Sequence, residues 1–287
     1  MLEFFASLFG YLLNFIYNLI GNYGAAIILF SIIVKVILLP ISISQQKTMK
    51  KTAKIQDELK VLQVKNKNNP EALQKETMEL YKREKMNPFS GCLSSIVQII
   101  LLFAVFYMVR CPLTYMKKVD SQLIEDYTTE ISENSETRDA YPEISIIREK
   151  GSEDERVYIN MEFLGLDLSS IPSKDFSDWR TYVIPVLYVI TTFVSMKLTT
   201  SMQKKKKEKE KKLITDGGEA KEEEVDMMAQ TSKNMTYMMP IIAVSISLIA
   251  PLGLALYWLT NNILMIAERL ILNKVIVDKE EEVNVWF

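Results

Sequence analysis

No histidine occurs anywhere in this chain of 287 residues. Metal sites built on histidine, Ser-His-Asp triads and Cys-His pairs are therefore excluded. Cysteine is nearly as scarce, and Cys92 and Cys111 flank a single apolar run. If that run is helical, about 1.5 Å of rise per residue sets them nearly 30 Å apart. A disulfide needs Cα atoms within about 7 Å, so these two do not pair. No Gly-x-x-x-x-Gly-Lys-Ser/Thr loop is present, so no nucleotide site of that kind is expected. The first apolar run has no basic segment before it and no small-residue cleavage site after it. It does not read as a secretory signal, and no nearby cysteine offers a lipid anchor. Paired repeats of the kind found in many transporters are missing as well.

What is present is apolar sequence gathered into long runs. The chain is 48% hydrophobic with a formal charge of −2, and its charges collect between the runs. A membrane-spanning helix needs about 20 mostly apolar residues, which makes this an all-α membrane protein pattern. Residues 1–22 carry Glu3, Ser7, Gly10, Asn14 and Asn18 at intervals of three or four, one polar stripe on a helix. An amphipathic helix lying along the membrane fits this best, with a spanning helix as the rival. The first span is expected at 23–44, where Lys35 interrupts YGAAIILFSIIVKVILLPISIS. Residues 45–87 are lysine-rich and helical in period. The KNKNNP turn signal at 65–70 folds them into a hairpin. Further spans are expected at 88–110, 181–199, 235–250 and 251–272. Between them lie an acidic segment (111–180), a basic loop (200–234) and a charged tail (273–287).

Short cytoplasmic loops carry the excess of Lys and Arg. The hairpin and the lysine run QKKKKEKEKK (203–212) are the basic segments, whereas acids outnumber bases about two to one in 112–180. Five spans satisfy this with the N-terminus outside, the hairpin inside, 112–180 outside and the C-terminus in the cytoplasm. The lysine run has two readings, a topology signal or a contact with anionic lipid or the ribosome.

A charge deep in a bilayer costs several kcal/mol, and Lys35 has three explanations on the residues alone. Its flexible stem can carry the ammonium to the cytoplasmic interface. It can pair with an acid, although no span holds Asp or Glu deep in its centre and Glu268 is the nearest. Or it can face a water-filled cavity, with Gln98, Thr191, Thr192, Ser195, Thr260, Asn261 and Asn262 at comparable depth.

Several stretches resemble the YidC/Oxa family of membrane protein insertases in its five-span bacterial form. They are YGAAIILFSIIVKVILLPISISQQKTMKK (23–51), EKMNPFSGCLSSIVQIILLFAVFY (84–107), FLGLDLSS (163–170) leading to VIPVLYVITTFVSMK (183–197), and PLGLALYWLTNNILMIAE (251–268). The resemblance covers all but the outer segment and the lysine run. It implies five helices around a hydrophilic groove that is open to the cytoplasm and to lipid and closed outside. Lys35, Ser195 and Trp258 take groove positions by this resemblance, and Gln98, Thr192 and Asn261 join them as polar groups at comparable depth, giving an expected groove of Lys35, Gln98, Thr192, Ser195, Trp258 and Asn261. In the family the position of Lys35 is usually arginine, and Ser195 stands where a glutamine is usual. Lysine keeps the charge without the guanidinium's bidentate fork. The implied substrates are nascent membrane proteins, with the ribosome and the Sec translocon as candidate partners. No cofactor, catalysis or sequence-specific nucleic-acid binding is implied. A small anion transporter or channel is the rival reading. With no histidine and no close pair of membrane acids, an intramembrane enzyme lacks an acid–base set.

Overall fold

A computed structural model describes residues 2–67, 69–84, 90–133, 139–175, 177–211 and 245–284. The expected fourth span therefore lies outside the described residues except for 245–250, of which 245–249 are helical. So do most of the basic loop and the Asn87–Pro88 break. The chain forms two compact units, one from Met1–Val34 with Ala104–Phe287 and the other from Lys35–Phe103.

Among the described residues, three helical stretches are long and apolar enough to cross a membrane: Leu2–Ile20, Tyr23–Thr48 and Trp179–Leu198. Ile99–Arg110 is a shorter apolar stretch. Two of the three overlap the expected spans 23–44 and 181–199. The remaining one is the helix whose polar stripe suggests a place along the membrane.

In the first unit, helix α1 (Leu2–Ile20) buries Ala6, Gly10, Leu13, Ile16 and Tyr17. Gly10 lies directly against the chain at Tyr115, where a Cβ would come within 2.0 Å of the Tyr115 carbonyl oxygen. The middle of the stripe, Ser7, Gly10 and Asn14, thus turns partly or wholly inward while Glu3 and Asn18 at its ends stay exposed, and the large exposed side chains of α1 are apolar. Gly21, at φ +71°, ends the helix by donating its N–H to the Tyr17 carbonyl at 2.7 Å. This left-handed position is one that glycine takes without a Cβ penalty. Helix α2 (Tyr23–Lys65) starts at once, with Asn22 Oδ1 accepting from the Ala25 N–H at 3.0 Å. Tyr23, Ala26, Ile27, Phe30 and Ser31 are buried at helical spacing and set one face of α2 into the core.

α2 runs unbroken through Pro40 and past the expected boundary at 44/45. The change there is one of composition, from apolar to lysine-rich, and a helical backbone is indifferent to it. In the second unit, α2 ends at Lys65 and α3 (Pro70–Arg83) follows. Asn69 caps α3 by accepting from the Ala72 N–H at 3.0 Å, and Pro70 occupies its first turn. Lys65 and Asn66 both donate to Glu76, at 2.9 Å, across this turn. Arg83 pairs with Glu58, and Ile55 and Leu80 are buried.

Helix α4 (Ser90–Arg110) leads into a π-helical turn, Leu113–Lys117. The segment 111–180, to which the sequence lent no structure, is folded. It holds α5 (Ser121–Glu133), α6 (Pro142–Lys150), the antiparallel strands β1 (Glu162–Phe163) and β2 (Leu166–Asp167), and a 3-10 turn at Trp179–Tyr182. Ile144, Ile146 and Ile147 of α6 join Val157, Ile159 and Met161 in the main core. Partly buried Leu123, Ile124, Tyr127 and Ile131 of α5 pack against it. The unit is completed by α7 (Val183–Lys211) and α8 (Leu252–Asn284). α7 carries the helix into the lysine run, and α8 passes the expected end of the last span at 272.

Candidate functional site

The sequence-derived residues divide between the two units. Lys35 lies on α2 in the second unit and is half-buried, whereas Val36 and Ile37 beside it are exposed. Gln98 lies on α4 in the same unit, and its side chain is outside the described residues. Thr192, Ser195, Trp258 and Asn261 belong to the first unit.

α7 and α8 bring a polar group together there. Tyr188, Thr191, Thr192 and Ser195 recur at three- and four-residue intervals and so share a face of α7. On α8, Trp258 and Asn262 are one turn apart. The Tyr188 and Trp258 rings meet at 6.2 Å between centroids, tilted by 34°. One turn on, Asn262 Nδ2 donates to Thr191 Oγ1 at 3.2 Å and to Thr192 Oγ1 at 3.0 Å. Thr191 in turn donates to the Tyr188 carbonyl at 3.0 Å. Residue numbers rise together along both helices, so α7 and α8 run parallel here. Ser195, Thr260 and Asn262 are buried, while Thr192, Trp258 and Asn261 are half-buried.

Of the two adjacent asparagines, Asn262 rather than Asn261 makes the bonds to α7. Sequence reasoning overlooked Tyr188 altogether. The available signal was the three- and four-residue ladder 188–191–192–195 matched by 258–262. An amide donating to two hydroxyls between apolar helices fixes their rotation, and it leaves polar atoms where lipid-facing helices carry none. Among the described residues, no three His, Cys, Asp or Glu side chains gather as a metal site.

A second polar node lies at the start of the folded 111–180 segment. Glu143, the second residue of α6, is 5% exposed. Its carboxylate accepts from the Leu113 N–H at 2.7 Å, the Thr114 N–H at 3.0 Å and the Thr114 hydroxyl at 2.6 Å. Burial pushes the carboxyl above its ordinary range, against donors that favour the ionised form. Burial and the nearby Glu143 charge push the Cys111 thiol up to about 12. Arg110 donates to the Ala140 carbonyl at 2.9 Å and lies 5.8 Å from the Tyr141 ring centroid. Nearby, burial raises the Asp139 carboxyl, but the Ser145 hydroxyl, the Tyr141 N–H and Lys174 outweigh it and hold it low.

Asn160 ties this segment to the joint between α1 and α2. Its N–H donates to the Tyr17 hydroxyl at 2.8 Å, its side-chain amide to the Gly21 carbonyl at 3.0 Å, and its carbonyl accepts from the Tyr23 N–H at 3.1 Å. Further along, Ser170 and Leu168 accept from the N–H groups of Leu252 and Gly253 at 2.9 and 2.8 Å, at the start of α8. Residues 160–170 therefore bridge the beginnings of two long helices.

Residues 15–280 match the family model described as 60Kd inner membrane protein. A protein named Membrane protein insertase YidC, from Caldanaerobacter subterraneus, is 28% identical over 266 residues, covering 93% of this chain and 92% of the relative. One of the same name from Fusobacterium nucleatum is 28% identical over 264 residues, covering 92% of each. A third, from Citrifermentans bemidjiense, is 27% identical over 266 residues, and there the match spans 36% of the longer relative.

Proposed function

The chain belongs to the 60Kd inner membrane protein family, and from that premise we propose that it is a membrane protein insertase. It is a multi-pass bacterial membrane protein. In this reading five spans enclose a hydrophilic groove that opens to the cytoplasm and to lipid and is closed on the outer side. The groove residues are Lys35, Gln98, Thr192, Ser195, Trp258 and Asn261, with Asn262 added by its bonds to α7. The 45–87 hairpin receives the nascent chain. The apolar part of the substrate moves along the helices into lipid while its short polar tail crosses. The N-terminus lies outside and the C-terminus in the cytoplasm. The lysine run meets anionic lipid, and the ribosome and Sec translocon are the partners on the delivery side.

One observation carries the mechanism: a lysine is placed within an apolar span and only half-covered. A positive group at that depth lowers the cost of bringing an acid to the same depth, because Coulomb attraction grows as the dielectric falls. It acts on the substrate only in passing, so the step needs no catalysis. One cation offsets about one acid, since each central charge costs roughly 2.5–3.5 kcal/mol to insert. The favoured substrates are then small proteins with one or two spans and short, mildly acidic outer tails.

The test is insertion into liposomes holding only this protein, using a series of tails with increasing numbers of Asp. Lys35→Arg should keep insertion, Lys35→Ala should reduce it and Lys35→Glu should abolish it. Equal insertion by Lys35→Glu, or equal efficiency for long and highly charged tails, refutes the mechanism. Anion conductance across the same liposomes would favour the channel reading.

A further inference from the structure

The open face of α1 is a strip of large apolar side chains: Phe4, Leu8, Tyr11, Phe15 and Leu19, each 51–71% exposed. A cation stands beside it. Lys118 follows the π-helical turn at φ 56°, a left-handed conformation that lysine seldom adopts and that Asn or Gly fills more readily. From there its ammonium reaches back over α1. It donates to Ser7 Oγ at 2.5 Å and lies 4.7 Å from the Tyr11 ring centroid and 6.0 Å from that of Tyr115. Lys118 itself is exposed. Among the described residues no carboxylate pairs with it, and Glu3, one turn before Ser7, forms no ion pair with it.

A cation held by a hydroxyl and two aromatic rings at the edge of an apolar strip has the two halves of a lipid site. We propose that Lys118, Ser7 and Tyr11 bind the phosphate of an anionic phospholipid whose acyl chains lie along Leu8 and Phe15. The ammonium supplies charge and N–H donors, the hydroxyls of Ser7 and Tyr11 supply further donors, and the strip supplies the apolar bed. Charge complementarity selects the occupant. A zwitterionic headgroup brings its own cation towards Lys118, and an anionic headgroup does not. The neighbouring Lys117 does not take part, because its ammonium points to the Glu155 carbonyl at 3.4 Å. This site is separate from the proposed groove and stands or falls without it.

A photoreactive benzoylphenylalanine at Leu8 of the full-length chain tests the site. The protein is reconstituted into vesicles of equal parts phosphatidylglycerol and phosphatidylcholine, irradiated, and its lipid adducts are counted by mass spectrometry. Phosphatidylglycerol should exceed phosphatidylcholine about fivefold, the selectivity of one basic residue near an anionic surface. The same probe at Ile190, an exposed position on α7, should take both lipids equally. Lys118→Asn tolerates the left-handed backbone and should remove the excess. Lys118→Arg and Lys117→Ala should keep it. Equal yields at Leu8 in the parent, or an excess that survives Lys118→Asn, overturns the site.

Discussion

Replacing Glu143 with alanine should loosen the folded 111–180 segment while leaving the helical core in place. The carboxylate is the acceptor for the Leu113 and Thr114 N–H groups, and Leu113 is fully buried. Alanine offers neither donor an acceptor, and the buried site admits little water in its place. Each stranded donor costs about 1–3 kcal/mol, so the pair loses about 2–6 kcal/mol. Thr114 is exposed and its hydroxyl can turn to water, which places the total towards the lower half of that range. Glu143→Gln keeps one carbonyl oxygen for the two N–H groups and should cost only about 1 kcal/mol. The assay is hydrogen exchange of the protein in lipid nanodiscs, read on peptides spanning 113–117 and 142–150. A loss of about 3 kcal/mol raises local opening roughly 150-fold. If the alanine variant exchanges within about twofold of the parent at both peptides, Glu143 does not hold α6 to the π-helical turn.

The same carboxyl gives a pH signature. Its raised pKa means that the folded state holds the proton longer, so protection of 142–150 should fall as pH rises from the ordinary carboxylate value through the raised one. Asp139, held low, contributes with the opposite sign: its part is complete above the ordinary value and is lost as pH falls through the lowered one. Glu143→Gln should abolish the first trend and spare the second, after correction for intrinsic exchange. Cys111, pushed up from about 9 to about 12, should react with maleimide roughly a thousandfold more slowly than an ordinary exposed thiol; a normal rate contradicts its burial. In the α7–α8 contact, a double-mutant cycle of Asn262→Leu with Thr192→Val should show coupling of roughly 0.6–1.7 kcal/mol in bicelle unfolding. Zero coupling would mean that the bond adds nothing to the packing.

Where the chain changes backbone direction was legible from local chemistry. The glycine at 21 and the asparagines around 66–69 stop or start helices through their own side chains or their lack of one, so the signal is contained in a few residues. The span and the first hairpin helix, read as separate segments on either side of 44/45, form one continuous α2 because apolar-to-lysine marks a change of solvent, which leaves the hydrogen-bond ladder untouched. The polar stripe of α1 was visible. Its partner was not, because the close approach at Gly10 involves Tyr115 from a hundred residues away. The 111–180 segment was unreadable for a related reason. Its helices are short, Glu143 looked like one more acid among many, and its burial depends on donors thirty residues earlier in the chain. At the candidate site, Thr192 and the asparagine pair stood out as polar groups in apolar runs. Asn261 and Asn262 differ by 100° of helix rotation, and only the position of α7 decides between them.

The bonds from Leu168 and Ser170 to Gly253 and Leu252 also set an order in time. More than eighty residues separate donor from acceptor, so at the ribosome those carbonyls emerge long before their partners are made. Ser173 likewise waits for a partner 75 residues later, its N–H donating to the Leu248 carbonyl at 2.9 Å. Before residue 253 is made, this stretch is held by its contacts with the α1–α2 joint through Asn160 and Asn22 and by neighbours such as Tyr182, whose hydroxyl donates to the Pro172 carbonyl. Closing so long a loop carries an entropic cost that grows only slowly with length, so the delay is one of synthesis and membrane entry rather than of chain search. A chain cut short before α8 would keep the early half of this fastening and lose the late half. The start of α8 thus completes a fastening whose other half is made some eighty residues earlier.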